Sequence, residues 1–598
     1  MYSLDTDESP VIKSDFKKSK PDDSQIAVVK GYHDQTKHRL SKYAKGPETL
    51  DWDNQPNPFR YFSGCDRIDL PFVALEHEPS FSELPVKTSY PLTMAAIAYL
   101  LRCSLALTGW KQFGPDKWSL RVNPSSGNLH PTEAYLLLGN EFDEELSPGL
   151  YHFNVEQFQL EKRAEAAFTT NSFGEGFLLG LSSVIWREAW KYGERSFRYC
   201  QLDIGHSMSA VTFAAAALGW RTYWLATATH KIVASLLGCD REEFIPLERE
   251  EPECLLFIGP GRPNDLLLEE AIEWISFMCW HGRPDSLGEP GFYRWPVVDS
   301  IAEATREGSL QNEPRPAVVE LSESREKSQD KGVVNTAKST SRSFFEVISK
   351  RRSAQRFEPT MMNQVDFIRI LMSVVSGEQA IANSLAEHEV MFLVTVHRVE
   401  GIPSGIYLLS GKSIQASAVS AVLTKWTDHQ DVTELFNLQR FTAAYRLKHV
   451  NAQKAAATLC CHQSIAADCS FMVSFLAPFQ PLDSIGAPYY RYVHWQAGMM
   501  AHKIYLAASE QQWAATAIGC FFDDAWHELL GLDKDLSYQV IYHIAVGKNK
   551  PDNRLIGLSA YHHLNGRAKT NIVLKNFGND YPSCPEDNVK LTGENDES

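Results

Sequence analysis

The chain has 598 residues, of which 44% are hydrophobic and 22% are charged, a composition typical of globular proteins with large cores. Its formal net charge of -16 argues against nucleic acid as a main partner, because phosphate backbones are bound by basic surfaces. The acidic N-terminus does not resemble a signal peptide, and no apolar run approaches the roughly 20 residues that span a bilayer. We therefore expect a cytoplasmic protein without a membrane partner.

Residues 1–30 are polar and are expected to be disordered. The N-terminal part that follows contains a loop whose residues restrict its backbone conformation. Residues 124–131, Pro-Ser-Ser-Gly-Asn-Leu-His-Pro, precede the predicted strand AYLLLG, and their prolines, glycine and asparagine exclude a helix. The serine hydroxyls, the asparagine amide and the open backbone of Gly127 are suited to contact a ligand, and an ordinary turn is the alternative.

The second half of the chain repeats the first. Residues 197–220, FRYCQLDIGHSMSAVTFAAAALGW, align without a gap on residues 490–513, so that Arg198 falls on Arg491 and Gly205 on Gly498. The segment LLGCDR falls on LLGLDK at the same offset, and SPGLYHF resembles PSGIYLL upstream. Downstream, LLFIGPGRPND resembles IYHIAVGKNKPDN. Four matches in one order indicate tandem copies of one fold, with a long central helix and short strands in each copy. The mixture predicts an α+β fold.

The composition also predicts where the copies are divided. Residues 303–342 are rich in charge, serine and proline, as in a linker, and residues 577–598 form an acidic tail. We expect domains over 31–302 and 343–576.

The eleven cysteines include a cluster at 460, 461 and 469 beside His462, but no CxxC pair occurs, so we expect no metal site and mostly buried, reduced thiols.

Several motifs together carry a family resemblance. They are YHDQTKHR, LDWDNQPNPFRYF, PSSGNLHPTEAYL and DIGHSM in the first copy, and KRRSAQRF, AIGCFFDDAWHELLGL and HIAVGKNKPDNR in the second. With them the chain resembles the flavin-dependent nitroreductase superfamily, most closely its branch of SagB-type (thiazoline/oxazoline) dehydrogenases. The resemblance implies two tandem nitroreductase-like domains that form an intramolecular pseudo-dimer. It also implies FMN sites at the interface, each built from both copies.

The resemblance implies a phosphate-binding set in the second copy. Arg351 and Ser353 would contact the FMN phosphate, and Arg554 with Lys550 would supply a further cation. Gln355 stands where the family more often has a lysine or arginine, which removes one charge. An arginine and the amides at a helix start suit a dianionic phosphate, because they offer charge and several donors together. The basic end of the KRRS segment could instead complement the helix dipole.

The flavin ring would be contacted from the first copy. Pro124, Ser125, Ser126 and Asn128 would line the ring, and Gly519 of the second copy would bring a backbone amide near flavin N5. The second copy has no recognisable Pro-Ser-Ser loop between residues 357 and 392, and the first copy has no RRS. These complementary losses predict one complete composite site and one degenerate site.

Other polar residues are weaker candidates. His130 could be a turn residue, His206 a helix-packing residue and Asp203 a local cap. His33, Lys37 and His38 could hold a second phosphate if the degenerate site binds one. His502 and Lys503 stand where the family often has Gln-Asn, which alters the expected substrate pocket.

The predicted function is that of an FMN-dependent oxidoreductase that moves hydride equivalents between NAD(P)H or a heterocyclic substrate and an acceptor. No Rossmann loop is present, so a nicotinamide would dock transiently over the flavin. The substrate would be a small molecule or a modified peptide, and a fused pseudo-dimer could remain monomeric. A flavin-poor pseudoenzyme that acts as a binding or scaffold protein is the alternative.

Overall fold

A computed structural model describes residues 22–575 of the chain, apart from a set of gaps. These gaps are 140–145, 166–172, 290–292, 307–317, 322–341, 376–389, 412–429, 433–434, 436–440, 449–450, 531, 533–536, 565 and 568–570. The acidic tail, most of the linker and residues 376–389 of the region without a recognisable Pro-Ser-Ser loop therefore lie outside the described residues.

The first repeat is built on an antiparallel sheet whose strands lie in the order β12-β8-β7-β6-β9-β11-β10-β14, with β2 paired to β8. Every residue of its central strands β6, β9 and β11 is buried, as expected for strands covered on each side. The strands are β2 Arg67–Asp69, β6 Thr132–Leu138, β7 Gly149–Asn154, β8 Gln159–Glu165, β9 Phe177–Ser183, β10 Arg221–Leu225, β11 Glu251–Gly259, β12 Cys279–Trp280 and β14 Val318–Glu320.

The second repeat has a sheet of matching order, β15-β22-β20-β16-β17-β19-β18, with β21 paired to β22. Its strands are β15 Phe357–Glu358, β16 Met391–Val396, β17 Gly405–Gly411, β18 Gln430–Asp431, β19 Phe441–Lys448, β20 Phe471–Pro478, β21 Ala514–Ile518 and β22 Tyr538–Asn549. The order β8-β7-β6-β9-β11-β10 of the first sheet thus corresponds to β19-β17-β16-β20-β22-β21 of the second. The predicted α+β class and the tandem duplication are both confirmed.

Helices cover the two sheets and join them. They are α1 Asp23–Gln35, α2 Met94–Ser104, α3 Ile185–Tyr192, α4 Ser196–Ala217, α5 His230–Leu237, α6 Leu267–Ile275, α7 Pro296–Arg306, α8 Phe344–Lys350, α9 Gln364–Val375, α10 Gln453–Leu459, α11 Ile465–Asp468, α12 Pro481–Ile485, α13 Tyr489–Glu510 and α14 Asp523–Leu530. No helix in the described part of the chain is both long and apolar enough to cross a bilayer.

The two repeats meet along their longest helices, α4 and α13. Each has 22 residues, and the two start and end at the offset of 293 that the sequence alignment gives. At their crossing, a Cβ on Gly205 would lie 2.1 Å from the carbonyl oxygen of Trp495, and one on Gly498 would lie 2.2 Å from that of Leu202. These two contacts exchange equivalent residues, which is the signature of a two-fold pseudo-dimer interface.

The C-terminal segment of the second repeat returns to the first. β23 Ile556–Leu558 pairs with β4 Leu107–Phe113, which in turn pairs with β5 Asp116–Arg121. β24 Asn571–Leu574 lies parallel to β3 Phe72–Leu75, and the short β1 Phe62–Ser63 pairs with β13 Arg283–Pro284. Backbone hydrogen bonds therefore join the repeats in addition to the helix crossing.

Two expected segment boundaries differ in the structure. Helix α1 begins at Asp23 inside the segment expected to be disordered, because Ile26 and Val29 are buried against the rest of the protein. Helix α7 runs to Arg306, across the expected domain end at 302, because Ile301 and Thr305 are buried. Both helices carry many polar residues on their exposed sides, so their composition does not indicate the apolar faces that they bury.

Candidate functional site

A cavity of about 320 Å³ lies between the repeats and is lined by both of them. The first repeat contributes the end of β5 and residues 123–130, and the second contributes residues 351–355 and 516–520. The sequence-predicted residues on its wall are Pro124, Ser125, Ser126, Asn128, Arg351, Ser353, Gln355 and Gly519. The structure thus brings together eight of the ten predicted site residues, from segments more than 200 positions apart.

The loop at 124–130 holds its shape through unusual backbone angles. Gly127, Asn128 and His130 have φ values of 60°, 60° and 52°, in the left-handed region that non-glycine residues rarely adopt. The His130 amide donates to Ser125 Oγ at 2.8 Å, and Asn128 Nδ2 donates to the Ser119 carbonyl at 2.9 Å. The Ser125 and Asn128 side chains therefore fix the loop from inside, and the loop lines the cavity in a preset form.

Ser126 is tied to a buried carboxyl group on helix α4. Its amide and its Oγ both donate to Asp203, at 3.1 Å and 3.0 Å respectively. Burial raises the pKa of Asp203 to about 7, because the ionised form loses its hydration, and the hydrogen bonds from the serines lower it only in part. The cavity wall thus has a carboxyl group behind it that can hold or release a proton near neutral pH.

Arg351 reaches the cavity from the C-terminal end of helix α8. Its Nε and Nη2 each donate at 3.0 Å to carbonyl oxygens of the first repeat, those of Val122 and Arg121. Its Nη1 is buried and has no hydrogen-bond partner among the described residues. Burial lowers the pKa of Arg351 to about 10, so the guanidinium stays charged at neutral pH. An unpaired buried N–H is costly, and an anion in the cavity would satisfy it.

The lining of the cavity is basic. Lys111, Arg121 and Arg352 join Arg351 on the wall, and none of the described lining residues is an aspartate or glutamate. Burial lowers the pKa of Arg121 to about 10. This concentration of charge on a protein of net charge -16 favours an anionic ligand.

Ser353 and Gln355 follow Arg351 along the same edge. Ser353 Oγ lies 3.0 Å from the Tyr505 hydroxyl, which accepts the amide hydrogen of Ala517 at 2.8 Å. Gln355 is exposed and lines the cavity. Neutral hydrogen-bonding groups thus continue the wall beyond the arginine.

Gly519 lies where only glycine fits. A Cβ at this position would lie 2.4 Å from Cε1 of Tyr199, which packs against it from the first repeat. The Gly519 carbonyl accepts from Arg195 Nη2 at 3.0 Å and from the Tyr199 hydroxyl at 3.2 Å. These bonds orient the peptide at the edge of the cavity.

The floor of the cavity contains buried aromatic and imidazole groups. His206 Nε2 lies 3.1 Å from the Tyr542 hydroxyl, and the His206 and His502 rings are 5.8 Å apart. Burial, followed by the charge of Arg351, lowers the pKa of His206 to about 3, so the ring is neutral. His130, also on the wall, has its pKa lowered well below the usual value by burial.

The structure does not bring Lys550 and Arg554 to this cavity. Arg554 is exposed and forms a bidentate pair with Asp552, at 2.9 Å and 2.7 Å, because the turn after β22 carries both residues outward. The candidates for a second phosphate are also occupied. His33 lies 3.1 Å from the Tyr490 hydroxyl, Lys37 pairs with Asp524, and the His38 amide donates to Asp523.

The pseudo-symmetric position in the other half is nearly filled. At the offset of 293, His206 corresponds to Met499, Tyr505 to Thr212 and His502 to Ser209. Met499, Thr212 and Ser209 line a cavity of only about 10 Å³. The two halves of the interface therefore differ, and the described residues leave room for a large ligand at the first position but not at the second.

Sequence reasoning missed two basic residues of the wall, Lys111 and Arg121, and the aromatic Tyr199. Lys111 and Arg121 lie on β4 and β5, before the loop motif, and nothing in their local sequence indicates a site. Arg352 belongs to the RRS motif and lines the cavity, whereas the resemblance assigns the phosphate contacts to its neighbours Arg351 and Ser353. Tyr199 was visible only as one partner in the aligned repeats.

Comparisons with known proteins agree with this architecture. The family model described as "Nitroreductase family" matches residues 88–259 and 348–548, which together exceed half of the chain. A solved protein of Anabaena variabilis ATCC 29413 that is classed with the nitroreductases is 20% identical, and the alignment covers 88% of this chain and 99% of that one with a TM-score of 0.60. Trifolitoxin-processing protein TfxB of Rhizobium leguminosarum bv. trifolii is 29% identical over 164 residues. That match spans 25% of this chain and 44% of the relative.

Proposed function

Because this chain belongs to the nitroreductase family, we propose that it is an FMN-dependent oxidoreductase with one flavin site, to which both repeats contribute. The observation that carries the proposal is the buried Arg351 of the second repeat, whose unpartnered Nη1 lies at a basic cavity walled by the loop of the first repeat. The donor set fits the group: charged N–H donors suit a phosphate, and backbone with neutral polar groups suits a flavin ring.

We assign the phosphate to the basic edge of the cavity. Arg351, Arg352 and Ser353 would hold it, with Arg121 or Lys111 contributing charge from the first repeat. Pro124, Ser126 and the backbone of Gly127 would contact the ring from one side, and Gly519 would supply its amide from the other. Lys550 and Arg554 are left out of this set, because neither lines the cavity.

Bound FMN would supply the redox chemistry by accepting and donating hydride equivalents. The residues of this chain would orient the substrate, exclude water and manage protons. The Ser126–Asp203 contact offers a proton-holding group at the wall, because the pKa of Asp203 is raised to about 7. We propose NAD(P)H or a heterocyclic substrate as the electron donor. We propose that the substrate is a small molecule or a modified peptide. The similarity to the trifolitoxin-processing protein favours the modified peptide as a second candidate substrate.

The first experiment is to quantify flavin per chain after incubation with excess FMN. We expect about one FMN per chain, because among the described residues only one of the two pseudo-equivalent positions has room for it. We expect Arg351→Gln to weaken FMN binding by about 10- to 100-fold, as a lost charged hydrogen bond does. Ser126→Ala, in the other repeat, should weaken it several-fold.

Lys350→Gln is the matched control, since this exposed neighbour removes one charge but does not line the cavity. Arg554→Gln tests the position that the family resemblance favoured, and we expect its FMN affinity to stay within about twofold of the parent. Two FMN per chain would contradict the single site. No FMN, even at saturating concentration, would instead support the scaffold alternative, and absorbance assays with NADH and NADPH would follow only a positive result.

A further inference from the structure

Two cysteines meet at one edge of the cavity. Cys520 follows Gly519 and lines the cavity, and the side chain of Cys461 forms a hydrogen bond with it. Both are partly exposed, whereas the neighbouring Cys460 and Cys469 are buried. Gln463 Nε2 fastens the two segments, because it donates to the carbonyls of Cys460 at 2.9 Å and of Cys520 at 3.1 Å.

A histidine of the first repeat faces this pair. His38 Nδ1 accepts the amide hydrogen of Ala44 at 3.0 Å, so the neutral ring carries its proton on Nε2. Nε2 is then the nitrogen that remains to donate to Cys520, with which the His38 side chain forms a hydrogen bond. The backbone of His38 is held by Asp523, through an amide-to-carboxylate bond of 3.0 Å and the reverse amide-to-carbonyl bond of 3.0 Å.

The surroundings favour one thiolate in the pair. The hydrogen bond from Cys461, followed by that from His38, lowers the pKa of Cys520, and the same contact raises the pKa of Cys461, which keeps the shared proton. The other titratable or charged groups near the pair are Arg195, Asp523, Tyr43, Tyr192, Tyr199 and Cys460. The charge of Arg195 is compensated by Asp523 at 3.0 Å. The hydrogen bonds from Cys461 and His38 are therefore the main cause of the lowered pKa of Cys520.

We propose that Cys461 and Cys520 form a thiol–disulfide exchange site that reduces small-molecule disulfides entering the cavity. The proposal goes beyond the flavin-dependent activity and does not require bound flavin. Thiol–disulfide exchange needs an accessible nucleophilic sulfur, a second thiol in contact with it and a hydrogen-bond donor that stabilises the thiolate.

The exchange takes place in two displacement steps. The Cys520 thiolate attacks one sulfur of a disulfide RS–SR, the S–S bond breaks, and RS⁻ leaves and takes a proton from solvent. Cys461 then loses its proton to solvent and attacks the Cys520 sulfur, which forms the Cys461–Cys520 disulfide and releases the second RS⁻, protonated in turn. Two electrons pass from the protein dithiol to the substrate disulfide. A small dithiol reductant restores the starting state by the reverse exchange.

Oxidised glutathione is the probe for the test, with the full chain studied both without and with FMN. We expect the parent protein to release two glutathione thiols per chain and to carry a Cys461–Cys520 link in its peptide map, which dithiothreitol reverses. Cys461→Ser should stop at a mixed disulfide between glutathione and Cys520, detectable by mass. Cys520→Ser should lose the reaction, and Cys279→Ser, which removes an exposed cysteine elsewhere, should keep it.

A second measurement uses the parent protein alone and so does not depend on how the variants fold. At about pH 6, iodoacetamide should alkylate Cys520 at least about tenfold faster than the exposed Cys279, because the hydrogen bonds from Cys461 and His38 stabilise the Cys520 thiolate. Equal alkylation rates, or glutathione attached to Cys279 without a Cys461–Cys520 link, would overturn the proposal. Because no step needs flavin, a chain that fails to bind FMN leaves this outcome unchanged, and the two proposals fail separately.

Discussion

Buried arginines join the two repeats residue by residue. Arg195 and Arg198 of α4 both reach Asp523 of the second repeat, at 3.0 Å and 2.8 Å. Arg491, the counterpart of Arg198, reaches Glu251 and Glu253 of the first repeat, at 2.6 Å and 2.7 Å. These side chains have almost no solvent exposure, so removing Asp523 would leave two buried guanidinium groups without their counter-charge, and removing Arg491 would leave two buried carboxyl groups without theirs.

We expect Asp523→Asn to lower the free energy of unfolding by about 3–5 kcal/mol, because it leaves two buried guanidinium groups without a counter-charge. Urea unfolding followed by circular dichroism measures the change. Asp483→Asn is the matched control: this exposed aspartate also joins the repeats, through Lys30 at 2.8 Å, and its loss should cost less than about 1 kcal/mol. Similar losses for both variants would contradict this account of the interface.

The helix crossing is the main contact between secondary-structure elements of the two repeats. Helices α4 and α13 approach so closely at Gly205 and Gly498 that the two Cα atoms leave no room for a methyl group. The glycines are needed here for close approach, because any side chain would collide with a backbone carbonyl that cannot shift on its own.

Gly205→Ala should therefore destabilise the protein by about 1–3 kcal/mol or more, since the added carbon forces the helices apart. The midpoint of urea unfolding measures it. Gly31→Ala on α1 is the control, because nothing lies within 4 Å of the added carbon and the helix gains about 0.5–1 kcal/mol from the substitution. If Gly205→Ala leaves the midpoint unchanged, the helices do not pack as described.

Over the whole molecule, burial has neutralised many histidines. Ten of those in the described part of the chain have a lowered pKa with burial as the largest cause: His33, His38, His130, His206, His230, His397, His494, His502, His527 and His543. Six carboxyl groups have a raised pKa, and they change the stability in the opposite direction as the pH falls: Glu78, Glu188, Asp203, Glu253, Asp299 and Glu510. The histidines therefore dominate the pH dependence of stability just below neutrality.

The sign follows from proton uptake on unfolding. An unfolded histidine binds a proton near pH 6.5 while its buried native form does not, so stability is lost as the pH falls below about 6.5. The raised carboxyl groups gain protons in the native state between about pH 4 and 7 and offset part of this loss. We expect the urea midpoint to fall steadily from about pH 7.5 to pH 5. A midpoint that stays constant or rises over this interval would show that the histidines are not buried as described.

Much of the site was recognisable from local sequence. The Pro-Ser-Ser-Gly-Asn loop and the Arg351 segment carry strong turn and charge signals, and their complementary distribution over the two copies indicated a composite site. Cys461 and Cys520 gave no such signal. They are far apart in the chain and share no motif spacing, so only the packing of α10 and the segment after β21 brings their sulfurs together.

The sequence by itself determined the fold class, the duplication and the polar loop. Hydrophobic periodicity and turn residues are local patterns, and the duplication shows when the chain is aligned with itself at a constant offset. Only the tertiary structure decided which cations face the cavity, that Arg554 turns outward to Asp552, and that Met499 and Thr212 fill the second position. The physical reason is that a site between two repeats depends on which side chains project across the α4–α13 crossing. Neither strand propensity nor motif spacing encodes the distance or direction between residues of the two copies.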